Sequence, residues 1–260
     1  MRSHPVIQQA GPATGHPAVP RHVVRRRVLP AVAALALATL PVMTAHAQAS
    51  STSRPASGSV DALIGRAAAT YKAARTATAN FQQTLTNPMT GSASVSRGVL
   101  HRQAPDRFAF SFTDPSGDRI IADGKFLWVY TPSSTPGQVL KLPAEAANGG
   151  MLDPGAQFFE APRTRFNITD GGTATVGGSP ARVLTLTPKG ANAPFTKATV
   201  WLDPVDGTLR QFETLDGMGV KRLVLLTDIR VNVTLPSGAF TFTPPKGVRV
   251  VDGQGLMGSR

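Results

Sequence analysis

No cysteine occurs anywhere in the 260 residues, and acidic side chains are scarce, with 15 Asp plus Glu against 27 Lys plus Arg. Without cysteine the chain can form no disulfide, no thiolate nucleophile and no thiolate metal ligand. Histidine is nearly as thin. His4, His16, His22 and His46 all lie within the first 47 residues, so a chain trimmed there keeps only His101. That excludes His-paired zinc sites and a conventional Ser-His-Asp triad. The same 47 residues hold Arg2, Arg21, Arg25, Arg26 and Arg27 and no acid; without them 22 basic and 15 acidic residues remain, and the net charge falls from +12 to +7.

The N-terminal segment reads as a secretory signal. Arg21, His22 and Arg25 to Arg27 form a positive region, residues 28–40 an apolar one, and Ala45-His46-Ala47 a small-x-small cleavage pattern. The apolar stretch is shorter than the ~20 residues that span a bilayer. Residues 1–47 are therefore expected to be removed on export, leaving a periplasmic protein where the cell has two membranes. No cysteine follows the cleavage point to carry a lipid. Residues 48–59, rich in Ser, Pro and Gly, have too little apolar surface to fold and read as a linker. Residues 60–260 carry no second linker and no internal repeat, so a single domain with a sizeable core is expected.

Residues 61–78 form the best helix candidate: Asp61 can cap the start, alanine supplies propensity, and Leu63, Ile64, Ala67 and Tyr71 share one face. From Asn80 the apolar period becomes two. Strands are expected at 97–101, 107–113, 119–122, 125–130, 139–142, 164–169, 181–187, 197–202, 208–215, 220–231 and 240–243. Gly- and Asp-rich turns separate them, among them Asp123-Gly124, Asp170-Gly171-Gly172, Gly177-Gly178 and Asp216-Gly217. Residues 143–162 differ: short helical turns at 144–147 and 157–160, interrupted by Asn148-Gly149-Gly150 and Asp153-Pro154-Gly155. The class is mainly β (α+β), an antiparallel meander forming a barrel or strongly curved sheet with one early helix and a broken helical insert.

Two strands show three rings on one face each: Phe108, Phe110 and Phe112 on one, Phe126, Trp128 and Tyr130 on the other. Such rings fill the core of a small barrel, or line an apolar cavity that takes a lipid in a larger one. Little else offers chemistry. Asp118, Asp123, Asp203 and Asp206 sit at turns, His101 has no evident partner, and no glycine-rich phosphate loop precedes a helix. The reading is a non-enzymatic binding protein without a cofactor or metal. The scattered positive charge does not form a nucleic-acid site; an anionic membrane surface or acidic partner suits it better.

Particular segments carry a family resemblance. The helix leading to Ala79-Asn80-Phe81-Gln82-Gln83 is one, and Gly98-x-Leu100 followed by Pro105-x-x-Phe108-x-Phe110 another. Ile121-Ala122-Asp123-Gly124-Lys125-x-Leu127-Trp128-x-Tyr130 and Phe240-Thr241-Phe242-Thr243-Pro244-Pro245-Lys246-Gly247-Val248 complete the set. In this order and spacing they resemble the periplasmic lipoprotein carrier family, LolA, over residues 61–252. The resemblance implies an open, incomplete antiparallel β-barrel with an N-terminal helix and a helical lid over an apolar cavity. It implies a monomeric carrier that takes lipoprotein acyl chains from the inner-membrane transporter LolCDE to the outer-membrane receptor LolB. A LolA-like lipid-binding or envelope-sensing protein carrying another lipid is the alternative.

By matching strand position, Phe108, Phe110 and Trp128 would face the cavity and residues 144–160 would be the lid. The remaining expected cavity residues are Leu63, Phe112, Tyr130, Met151, Leu152, Phe158 and Phe159. Many family members have an Arg directly before the Pro matching Pro105, and it bonds to the lid. Here that position is Ala104, with Arg102 on the same strand face as the candidate latch. The other departure is Asp153-Pro154-Gly155, which reads as a break in the lid.

Overall fold

The computed structural model describes residues 57–147, 153–191 and 193–253, so the expected signal segment falls outside the described residues. The chain opens with helix α1, Ser57–Ala73, which buries Leu63, Ile64 and Ala67 at helical spacing. The helix ends five residues earlier than the sequence suggests. The β-branched Thr76 and Thr78 belong instead to strand β1, Thr76–Thr86, which pairs along its length with neighbours on both sides. Tertiary pairing outweighs the helical preference of the intervening alanines here.

Eleven more strands follow: β2 Ala93–Gln103, β3 Arg107–Asp114, β4 Ser116–Ala122, β5 Phe126–Tyr130, β6 Gln138–Pro143, β7 Phe166–Val176, β8 Ser179–Pro188, β9 Lys197–Leu202, β10 Leu209–Leu215, β11 Lys221–Val231 and β12 Arg249–Asp252. All join one sheet in the order β12-β6-β5-β4-β3-β2-β1-β11-β10-β9-β8-β7. Neighbours run antiparallel except β12, which lies parallel to β6. β12 and β7 remain as edges, so the sheet is open, as expected.

Between β6 and β7 lie a 3-10 turn, Ala144–Ala147, then α2, Pro154–Phe159, and α3, Pro162–Arg165. Asp153-Pro154-Gly155 does not interrupt the insert; it starts α2. The Asp153 side chain accepts the Gly155 and Ala156 amides as N-cap, and Pro154 takes the first helical position, where its missing N–H costs nothing. Asp170-Gly171-Gly172 is likewise no inter-strand turn. It is a bulge inside β7, with the register shifting between Asp170 and Thr173.

One face of the sheet, with α1 and α2, forms the main core: Phe81, Leu100, Phe108, Phe110, Leu127, Leu184, Val200 and Phe212 pack with Leu63, Ile64 and Phe158. Gly98 makes room in it. A Cβ there would lie 2.2 Å from the Ser111 carbonyl oxygen and 2.8 Å from Phe81 Cε1. In that space Phe81 meets Phe110 and Phe112 edge-on, with centroids 5.3 and 5.2 Å apart.

The opposite face of β3–β6 has its own cover. Ala109, Ile121 and Trp128 are register partners on this side. Asp123 accepts the Trp128 indole N–H at 2.9 Å, fixing the ring outward. Partial burial works against the Asp123 charge, yet the Phe126 amide and the indole bond hold the carboxyl below the usual carboxylate range. The strap following β11 crosses this face, and Phe242 packs on Trp128 and Tyr130 with centroids 5.5 and 5.6 Å apart. Residues 240–243 are therefore not a strand: their alternation seats one ring against an outer aromatic pair. Removing that ring by Phe242→Ala should cost about 1–2 kcal/mol, less than for a fully buried Phe. Urea unfolding of the purified protein measures this, and an unchanged midpoint would show the strap contributes no packing energy.

Candidate functional site

The site is built where β2, the last turn of α1 and the start of α2 meet. Arg102 sits on the core face of β2, two residues beyond Leu100. Its Nε donates to Asp153 Oδ2 at 2.7 Å, and its Nη1 donates to the Ala74 carbonyl oxygen at 2.8 Å. The Tyr71 hydroxyl donates to the same Asp153 oxygen at 2.9 Å, and the guanidinium lies 4.2 Å from the Tyr71 ring centroid. The Arg102 and Asp153 side chains are only 12% and 16% exposed. Gly155 lets α2 come this close, since a Cβ there would lie 2.1 Å from Tyr71 Cδ2.

The electrostatics follow from this packing. Burial opposes the charge on Arg102, but the Asp153 carboxylate outweighs it and holds the pKa above its ordinary value. Burial, and then the Asp153 charge, push the Tyr71 phenol well above its ordinary range, so Tyr71 remains a donor throughout the neutral range. A second tie holds the far end of α2: Arg165 Nη1 donates to the Ala156 carbonyl oxygen at 3.1 Å. At the other end of the core face, Arg222 donates to Gln83 Oε1 at 2.6 Å, and burial lowers its pKa to about 10.

Beneath the latch lies a small apolar cavity of about 120 Å³, bordered by Leu100, Ala79, Leu209, Leu226, Ala67 and Phe159. A much larger open groove, about 550 Å³, runs outside it between α1, Pro105 and Glu160. Tyr71, Arg102 and Phe159 border both spaces. The latch is therefore the partition between a closed apolar interior and solvent.

The expected cavity residues separate into three groups. Leu63, Phe108, Phe110, Phe158 and Phe159 are buried on the core face, with Phe112 packed against them. Phe108 and Phe110 do not line the remaining cavity; they lie in the filled part of the interior. Trp128 and Tyr130 are corrections: they point to the other face, because Leu127 is the β5 residue that turns toward the core and the strap covers the rings. Met151 and Leu152 lie outside the described residues. Sequence reasoning passed over Asp153 and left Tyr71 as a packing residue. The pair Asp153-Pro154 carried the missed signal, an N-cap followed by a first-turn proline. Among the described residues, no cluster of three or more His, Asp or Glu could hold a metal ion. No helix among them is long and apolar enough to cross a membrane.

The family model for the outer membrane lipoprotein carrier protein LolA matches residues 72–141 and 174–243, more than half the chain. The chain belongs to the LolA family. The match is interrupted across the helical insert, where the latch partner Asp153 lies. A Chromobacterium violaceum outer-membrane lipoprotein carrier protein is 28% identical over 216 residues, covering 82% of this chain and 97% of that one. A namesake from Legionella pneumophila (strain Lens) is 30% identical over 180 residues, covering 69% and 84%. Among solved structures, an uncharacterized conserved protein from Thermus thermophilus is 14% identical, covers 75% of this chain and 99% of that one, and superposes with a TM-score of 0.48.

Asp153 both caps α2 and pairs with Arg102, so Asp153→Ala removes both supports at once. It should speed hydrogen exchange at the Gly155 and Ala156 amides tenfold or more while leaving β1 and β11 amides protected. Equal protection in both proteins would mean that other contacts hold α2.

Proposed function

We propose that this LolA-family chain shields the acyl chains of lipoproteins in the apolar space between the sheet and the α1–α2 lid. On this reading it works in the periplasm after loss of its signal segment. It receives cargo from an inner-membrane LolCDE-type transporter and yields it to an outer-membrane LolB-type receptor. The observation that carries the proposal is the Arg102–Asp153 pair, which ties α2 over an otherwise apolar interior.

The physical logic is one of competition. Burying each CH₂ is worth ~0.8 kcal/mol, so a chain of about sixteen carbons gains ~12 kcal/mol on leaving water. The closed interior holds a cavity of only about 120 Å³. Pockets that enclose a ligand of this kind measure roughly 300–1,000 Å³. Phe158 and Phe159 occupy the rest, so cargo enters only as α2 withdraws and the latch breaks. Latch and cargo are then alternative ways of filling one space. A carrier of this kind holds lipid firmly enough to cross water and loosely enough to surrender it.

Removing the latch shifts that balance. A ligand's apparent affinity scales with the fraction of protein already open. Arg102→Met keeps the apolar stem and deletes the charge, destabilising the closed form. Incubated with spheroplasts that release a lipoprotein, this variant should hold cargo about tenfold more persistently than the wild type when receptor is added. Equal loading and equal transfer by the two proteins would sink the latch as a determinant of affinity.

A further inference from the structure

At the end of the strands opposite Arg102, two neighbouring hairpins present methionines to solvent. The β1–β2 tip carries Met89, 92% exposed, and the β10–β11 tip carries Met218, 80% exposed. The turns are built alike. Asn87 Oδ1 accepts the Met89 amide at 2.9 Å, and Asp216 Oδ1 accepts the Met218 amide at 2.8 Å. The tips touch: a Cβ on Gly219 would sit 3.2 Å from Pro88 Cγ. Leu85 and Val95, 36% and 42% exposed, continue the apolar surface from the tips onto the strands.

Charge is distributed in keeping with this. Within residues 86–92 and 215–220 the only charged side chain is Asp216, and its carboxylate is turned into its own loop by the Met218 and Val220 amides. Around the base stand Arg97, Lys197 and Lys221. Arg97 meets Asp114 at 3.0 Å and Lys221 meets Glu213 at 3.6 Å, while exposed Lys197, opposite Leu215, has no ion pair among the described residues. The patch is thus an uncharged, methionine-tipped prow with surplus positive charge behind it. Flexible thioethers adapt to a disordered apolar medium, and cations just behind them suit anionic headgroups.

We infer that the paired tips are a membrane-contact site, inserting Met89 and Met218 into the headgroup–acyl boundary of an anionic bilayer. β1 is 11 residues long, so the tips and the latch lie roughly 30 Å apart. The protein can rest on a lipid surface while the lid end stays free. Membrane contact of this kind does not depend on the cargo reading, because protein-free vesicles test it.

The test is co-sedimentation of the purified protein with vesicles of phosphatidylethanolamine and phosphatidylglycerol. Wild type should pellet with them, and more weakly as salt rises. Met89→Gln with Met218→Gln should weaken binding about tenfold. Val205→Gln, which replaces an equally exposed apolar residue on the β9–β10 turn at the other end, should not. Both tip residues are solvent-exposed, so the fold is expected to survive, and circular dichroism checks it. A Met89→Trp variant should add blue-shifted emission when vesicles are present. Failure of the wild type to pellet, or equal binding by the double variant, would overturn the inference. So would binding confined to a membrane-protein fraction, which would assign the tips to a protein partner.

Discussion

The interior of this protein is closed by one ion pair set among apolar groups. Arg102 and Asp153 have given up most of their water, a cost that Coulomb attraction repays only in good geometry and with further hydrogen bonds. Both conditions hold here. Arg102 also donates to the Ala74 carbonyl oxygen, and Asp153 accepts from Tyr71 and from two amides of its own helix. Such a pair contributes little net stability compared with apolar packing, but losing either partner leaves a buried charge alone. The lid thus favours being fully seated or fully displaced, with little between. That is the behaviour asked of a cover over a cavity whose occupant comes and goes.

The sheet serves this by dividing labour between its faces. One face holds the large rings and aliphatic groups that bury area without fixed polar geometry. The other face of β3–β6 is sealed by the strap from β11, so the aromatic residues there are committed to structure. The two layers meet at the joint between α1 and β1. The Ala74 carbonyl accepts from Arg102, the Arg75 amide donates to Asn232 Oδ1, and Thr76 bonds to Asn232 and Val233. Three consecutive residues therefore anchor both the latch and the start of the strap.

Much of this was legible in the chain before the fold was known. The run of short strands with Gly and Asp turns gives a meander, and the alternation in 107–113 puts Phe108, Phe110 and Phe112 on the core side. Arg102 shares a strand face with Ala104, and the structure sets it against the lid insert. Trp128 and Tyr130 were misjudged because β5 is apolar on both faces, so no polar face marks the outside. The strap that buries them joins through residues more than a hundred positions away. Asp153-Pro154-Gly155 misled for a different reason: the residues that break a helix from within are those that start one. Phe240 to Thr243 has strand-like alternation but no free edge to pair with.

The central claim is that cargo and closed lid exclude one another. The absence of cysteine lets two be introduced cleanly, replacing Ala73 at the end of α1 and Glu160 after α2, both exposed. Spin labels on these sites report the α1–α2 distance by pulsed electron resonance in empty and lipoprotein-loaded protein. The account requires one short distance in the empty protein and a longer one when loaded. An identical short distance in protein carrying stoichiometric lipoprotein would contradict it.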